Sequence, residues 1–180
     1  MSEFMEILKN RRSIRTYLDK PVTDDQVQQI LEAVQWSPSW ANTQVWEVVV
    51  VTDTGVKTAL QETISAKNPA TKAIVAAPVL LALCAKLNSS GYYNGVVTTK
   101  FGDWFLFDLG IATQSICLAA QSMGLGTVIV GLFDHDRAAR ILQAPAGHEV
   151  VALIPLGYSA KTGSAPKRRE LAEFRHDNTF

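Results

Sequence analysis

The chain has 180 residues, 47% hydrophobic and 19% charged, which is enough apolar material for one domain with a substantial core and too much for a disordered chain. Seventeen basic side chains balance seventeen acidic ones, and a formal net charge of zero argues against a general nucleic-acid or membrane-surface binder. Glu3 and Glu6 interrupt the first apolar residues and no apolar run reaches bilayer-spanning length, so a cytoplasmic protein without a membrane segment is expected.

Phe4, Met5, Ile7 and Leu8 fall on one face of a short helix ending near Asn10. Directly after it, Arg11-Arg12-Ser13-Ile14-Arg15 gathers three guanidinium groups and a hydroxyl. Guanidinium forks match phosphate oxygens, so the cluster reads either as an anion site or as a solvated basic turn. Thr23 and Gln26 form a capping box, with Asp24 and Asp25 in the positive first turn, and Val27, Ile30, Leu31 and Val34 keep helical spacing to about Gln35. Pro38 stops that helix. The polar loop from Ser37 to Trp46 feeds into Glu47–Val51, a β-branched run that reads as a buried strand. Amides beside aromatics suit a planar polar ring, although the same loop also reads as a connector whose Trp residues plug the core.

Asp53 or Thr54 caps a second helix to about Ala66, and a short helix is expected within Lys67–Ala77. Val79–Ala85 is a strand. Leu87–Lys100 holds two Asn, two Gly and two Tyr without any period, which fits a functional cover or a mobile surface loop. Phe101–Met123 is the longest helix, apolar almost all round, as expected of a helix in the domain centre or at a subunit interface. Leu125–Gly131 reads as a strand, Asp134 caps a helix to about Leu142, and Glu149–Leu156 is the last strand. From Ser159 a tail carries Lys167, Arg168 and Arg169, then Leu171 and Phe174, which either dock on a neighbouring subunit or lie loose. Cys84 and Cys117 lie in apolar runs and read as structural thiols.

The motifs of other chemistries are missing. There is no Gly-x-Gly-x-x-Gly after a strand, no phosphate loop ending in Gly-Lys-Ser/Thr, no His-Glu-x-x-His and no Gly-x-Ser-x-Gly. Asp134-His135-Asp136 is better explained by capping than by a metal, and no metal site is expected. Binding parts without an acid, base or nucleophile are what a cofactor enzyme shows when the cofactor carries the chemistry.

In this order, Arg11–Arg15, Ser37–Trp46, Asp108-Leu109-Gly110, Gly124–Thr127, Ile154–Tyr158 and the basic tail resemble the FMN-dependent nitroreductase-like flavoproteins over nearly the whole chain. The resemblance implies an α+β fold, a central and mostly antiparallel sheet flanked by helices, built as an intertwined homodimer. It implies one domain over residues 1–180, with 159–180 as a C-terminal arm. Arg11, Arg12, Ser13 and Arg15 would hold the FMN phosphate and ribityl chain, with Arg15 reaching the pyrimidine edge. Pro38, Ser39, Trp40 and Asn42 would line the isoalloxazine from the other subunit, with Gln44 supporting their loop. Val130 and Gly131 would sit beside the ring, Lys167 and Arg169 would return to the phosphate, and Lys72 would approach the flavin. No side chain would be catalytic in the strict sense, because flavin N5 carries the hydride from NADH or NADPH to a small planar oxidised acceptor such as a nitroaromatic or a quinone. A same-fold enzyme for one metabolite, or a non-catalytic flavin carrier, are the alternatives. Three departures stand out: Trp40 where the family often has a small residue, Val45 in place of a common Pro, and Val130 where some members carry Glu.

Overall fold

In the computed structural model, which describes residues 2–161 and 163–180, the centre is an antiparallel sheet of four strands. These are β1 (Trp46–Val51), β2 (Val79–Lys86), β5 (Leu125–Thr127) and β6 (His148–Tyr158), ordered β1-β2-β6-β5, with β3 (Tyr92–Tyr93) and β4 (Val96–Val97) forming a separate hairpin. The helices are α1 (Glu3–Asn10), α2 (Asp24–Gln35), α3 (Thr54–Gln61), α4 (Thr71–Ala76), α5 (Phe105–Ser122) and α6 (His135–Ile141). The α+β class with a mostly antiparallel sheet flanked by helices is as expected.

The two central strands explain the layering. Successive side chains of a strand point to opposite faces, and β2 is buried on both. Leu81 and Leu83 join Ile30 and Val34 of α2, Ile116 of α5 and Ile154 in one core. Leu80 and Ala82 join Leu60 of α3, Ile74 of α4, Ala138 of α6 and Leu153 in the other. The α2 helix starts with the expected box: Gln26 N–H donates to Thr23 Oγ1 at 3.2 Å and Thr23 N–H donates to Gln26 Oε1 at 3.1 Å. Helix α5 buries Leu109, Ala112, Ile116 and Ala120 and leaves Leu106 and Phe107 about 60% exposed.

Several expectations are corrected. The run Glu47–Val51 is not a buried strand; β1 is the sheet edge, paired with β2 alone among the described residues, and Glu47, Val49 and Val50 are exposed. Helix α3 ends at Gln61 rather than near Ala66, because tighter turns take over: Thr63 Oγ1 donates to the Leu60 carbonyl at 2.7 Å and Ile64 N–H donates to that of Gln61 at 3.1 Å. Ile64 is buried nonetheless. Strand β5 stops at Thr127, and the chain rejoins the sheet only at Val130, through a bridge to Leu153. The stretch Leu87–Lys100 is not without strand structure, since it contains the β3–β4 hairpin. Among the described residues no helix is long and apolar enough to cross a membrane.

Candidate functional site

After α1 the chain runs along the sheet edge. Ile14 N–H donates to the Thr127 carbonyl at 2.8 Å, Leu18 N–H to that of Tyr158 at 2.9 Å, and Ala160 N–H to that of Thr16 at 3.0 Å. Gly126 permits this approach: a Cβ there would lie 2.5 Å from Ile14 Cγ1. These contacts fix the cations of residues 11–15, and because β6 continues into the arm, they also bring the arm beside them. A cavity of about 360 Å³ results, with Arg11, Arg12, Ser13 and Arg15 on one side and Ser164 and Arg168 on the other.

No carboxylate lines that cavity among the described residues. The Arg12 guanidinium donates to the carbonyls of Lys9 and Arg11 at 2.6 and 2.8 Å and so closes the C-terminal end of α1. Its Nε is buried without a partner among the described residues, and a buried donor without an acceptor is costly. Among the described residues, Arg15 makes a single side-chain hydrogen bond, 3.3 Å to the Ser13 carbonyl. Uncompensated guanidinium groups with an orphaned donor fit an oxygen-rich anion, so the residues present suit the phosphate of FMN.

The loop Ser37–Gln44 is tied to α5 at two points. The hydroxyls of Ser37 and Ser115 lie 2.7 Å apart, and Trp40 N–H donates to Asp108 Oδ1 at 3.0 Å. Inside the loop, Gln44 N–H donates to Ser39 Oγ at 2.9 Å and Gln44 Nε2 to Asn42 Oδ1 at 3.2 Å. Ala41, Asn42 and Gln44 have φ of 44°, 56° and 48°. Left-handed backbone at non-glycine residues costs energy and persists only where surrounding bonds over-determine it, a pattern that clusters at functional sites. Pro38 and Asn42 are exposed and Trp40 is half-buried, its ring edge-on to Tyr93 of the hairpin with centroids 6.3 Å apart.

The remaining expected residues divide. Val130 is buried through its bridge to Leu153, and Gly131 beside it is exposed. Lys72 is exposed on α4 and does not line the arginine cavity. Lys167 does not line it either, and Arg169 is turned onto the Glu173 carbonyl and the Phe174 ring. Arg168 is the tail cation that reaches the cavity, since neighbouring side chains of an extended segment point apart. The sequence shows Arg168 in the tail cluster and Asp108 in a motif but gives neither a role in the site, and it does not single out Ser90; Asp108 and Ser90 are both fully buried and joined by a 2.6 Å hydrogen bond. A lone acid in an apolar helix was the available signal for Asp108.

Neither thiol is placed for nucleophilic work. Burial pushes the Cys84 thiol up to about 11, with Glu47 and Glu149 adding to the shift. Burial also raises Cys117, against a hydrogen bond from Thr127 and the charge of Arg11. Asp134 Oδ1 accepts from Arg137 N–H at 2.9 Å as a helix cap, and no cluster suited to a metal occurs among the described residues.

Comparison with known proteins identifies the family and the fold. The model of the nitroreductase family matches residues 8–158. The FMN reductase [NAD(P)H] of Bacillus subtilis is 30% identical, over all of this chain and 75% of its own length. The NADPH-flavin oxidoreductase of Vibrio harveyi is 29% identical, again over all of this chain and 75% of its own. The crystal structure of a nitroreductase family protein from Clostridium novyi superposes with a TM-score of 0.78 at 28% identity, covering 88% of this chain and 86% of that one.

Proposed function

The chain belongs to the nitroreductase family, and from that premise we propose that it is an FMN-dependent NAD(P)H oxidoreductase acting as a homodimer on small planar oxidised acceptors, nitroaromatics or quinones among them. The observation that carries this reading is the arginine cavity, a pocket of cations with no carboxylate in its lining among the described residues.

Arg11, Arg12, Ser13, Arg15 and Arg168 hold the phosphate and neighbouring hydroxyls. Pro38, Ser39, Trp40 and Asn42 line the ring across the subunit interface, and the backbone at Val130 and Gly131 closes its other side. A bound flavin supplies hydride acceptance from NADH or NADPH and delivery to the acceptor in a ping-pong cycle. The chain's own contribution is positioning and electrostatics: fixed cations favour the negative charge that reduction adds. Two features support the dimer. Helix α5 leaves Leu106 and Phe107 exposed, and the arm leaves Leu171 and Phe174 71% and 52% exposed; apolar groups of this size in contiguous arrays mark interfaces.

The Trp40–Tyr93 contact favours a second reading in the same class, an enzyme narrowed to one aromatic or otherwise flat metabolite. The deciding experiment is an absorption spectrum of the purified protein before and after anaerobic NADH and then NADPH. Flavin bands that bleach are expected, and the effective donor identifies itself. Bands that neither donor bleaches would make the protein a flavin carrier, and a colourless protein that takes up no added FMN would remove the flavin reading.

A further inference from the structure

Asp108 lies in the first turn of α5 and is fully buried. Both carboxylate oxygens are engaged, and they hold two different loops. Oδ1 accepts from Trp40 N–H at 3.0 Å; Oδ2 accepts from Ser90 Oγ at 2.6 Å. Ser90 is itself fully buried, and its carbonyl accepts from Trp104 N–H at 3.0 Å. Next to it, Gly91 has φ of +82°, and a Cβ there would lie 2.6 Å from the Gly102 carbonyl oxygen. The base of the 87–104 excursion therefore has little room to shift. On the other side, the turn Trp40–Asn42 has left-handed backbone at Ala41 and Asn42, and its contacts at Thr43 and Gln44 are internal to the loop. Trp40 N–H is the only amide of that turn bonded to α5 among the described residues.

We propose that Asp108 is a positioning residue that couples the ring-facing turn Trp40–Asn42 to the β3–β4 cover, so that one buried carboxylate sets the gap between Trp40 and Tyr93 and thereby the thickness of the acceptor admitted. The identity of the ring rests on the flavin reading above; the coupling rests on the hydrogen bonds alone. Removing the Ser90 hydroxyl leaves Oδ2 buried without a donor. The carboxylate then shifts toward other donors and releases the Trp40 amide. An amide at position 108 keeps both links, because its oxygen accepts from Trp40 N–H while its nitrogen donates to Ser90 Oγ.

The test is native-state hydrogen exchange and FMN titration on the wild-type protein, Ser90→Ala, Asp108→Asn and Asp108→Ala. Ser90→Ala is expected to speed exchange at Trp40 and Asn42–Gln44 together with residues 91–104, and to raise the FMN dissociation constant about tenfold, the effect of one strong hydrogen bond. Asp108→Asn is expected to stay near wild type in both readouts, a rescue that a purely electrostatic role for the carboxylate would not show. Faster exchange confined to 91–104 in Ser90→Ala, with Trp40 unchanged, would overturn the coupling. Should Asp108→Ala fail to fold, Ser90→Ala and Asp108→Asn still decide. A wild-type protein that binds no FMN would sink the flavin reading, and the exchange data would judge the coupling independently.

Discussion

Ile14 occupies the space that a Gly126 side chain would need: a Cβ on Gly126 would come within 2.5 Å of Ile14 Cγ1 and 2.8 Å of its Cβ. The residue between the site arginines is thus the one that plugs them onto β5. Gly126→Ala is expected to destabilise the protein by about 1–3 kcal/mol, the usual cost of overpacking. It is also expected to weaken FMN binding, because Ile14 cannot yield without moving its neighbours. Urea unfolding and flavin fluorescence titration measure the two effects, and a stability loss with unchanged flavin affinity would separate the plug from the site.

The arginines of the cavity differ in what they cost the fold. Arg15 is exposed and, among the described residues, makes one long bond to a carbonyl, so Arg15→Ala should alter stability by no more than about 0.5 kcal/mol. The same change should weaken FMN binding on the order of tenfold or more, through loss of a charge-assisted contact. In the tail, Arg168→Ala should weaken binding whereas Lys167→Ala should leave it almost unchanged, since only Arg168 lines the cavity. Equal effects of the two tail variants would mean that the arm is repositioned in the dimer.

Tyr17 is expected to make stability fall at alkaline pH. Its hydroxyl bonds to the carbonyls of Ile14 and Pro155 at 2.8 and 3.1 Å, and burial raises its pKa far above the ordinary tyrosine value, with the charge of Arg15 opposing and Cys117 adding. A folded-state pKa above the unfolded one means that the native state holds the proton more tightly. The resulting stability is complete below the unfolded value of about 10 and is lost as pH rises beyond it. Tyr17→Phe is expected to be about 1 kcal/mol less stable at neutral pH and to lose the steep decline above that value, as read from denaturation midpoints between pH 8 and 11.

Both thiols should be silent in the native protein. Cys84 and Cys117 are 4% and 2% exposed, and burial raises the pKa of each. At pH 7.5 a disulfide reagent is expected to modify neither in the folded state and both in denaturant. Fast reaction of Cys84 in the folded protein would show that the reagent reaches the thiol through the cavity it lines with Glu47, Leu142 and His148.

Local patterns carried the fold further than the site. The box at Thr23 and Gln26, the cap at Asp134 and the continuous apolar run of β2, buried on both faces, follow from local pattern alone, so sequence places them well. The status of β1 does not follow, because Trp46–Val51 is as apolar as a central strand and only the pairing partner reveals an edge. The arginine cluster stands out in the sequence, yet which tail cation joins it in the cavity depends on how the arm leaves β6. Asp108 and Ser90 are separated by a hairpin, and no local pattern announces that a helix acid and a loop hydroxyl meet. Long-range pairings of that kind are written in the packing.

The cavity draws its walls from residues 11–15 and from residues 163–168, so nearly the whole chain must be synthesised before it exists. A nascent chain can shape α1 and α2 early, but the ribosome still holds the arm when the arginines first emerge. On the flavin reading proposed above, cofactor loading follows synthesis of the arm, and a product truncated before residue 163 would keep Arg11, Arg12 and Arg15 but hold the anion more weakly.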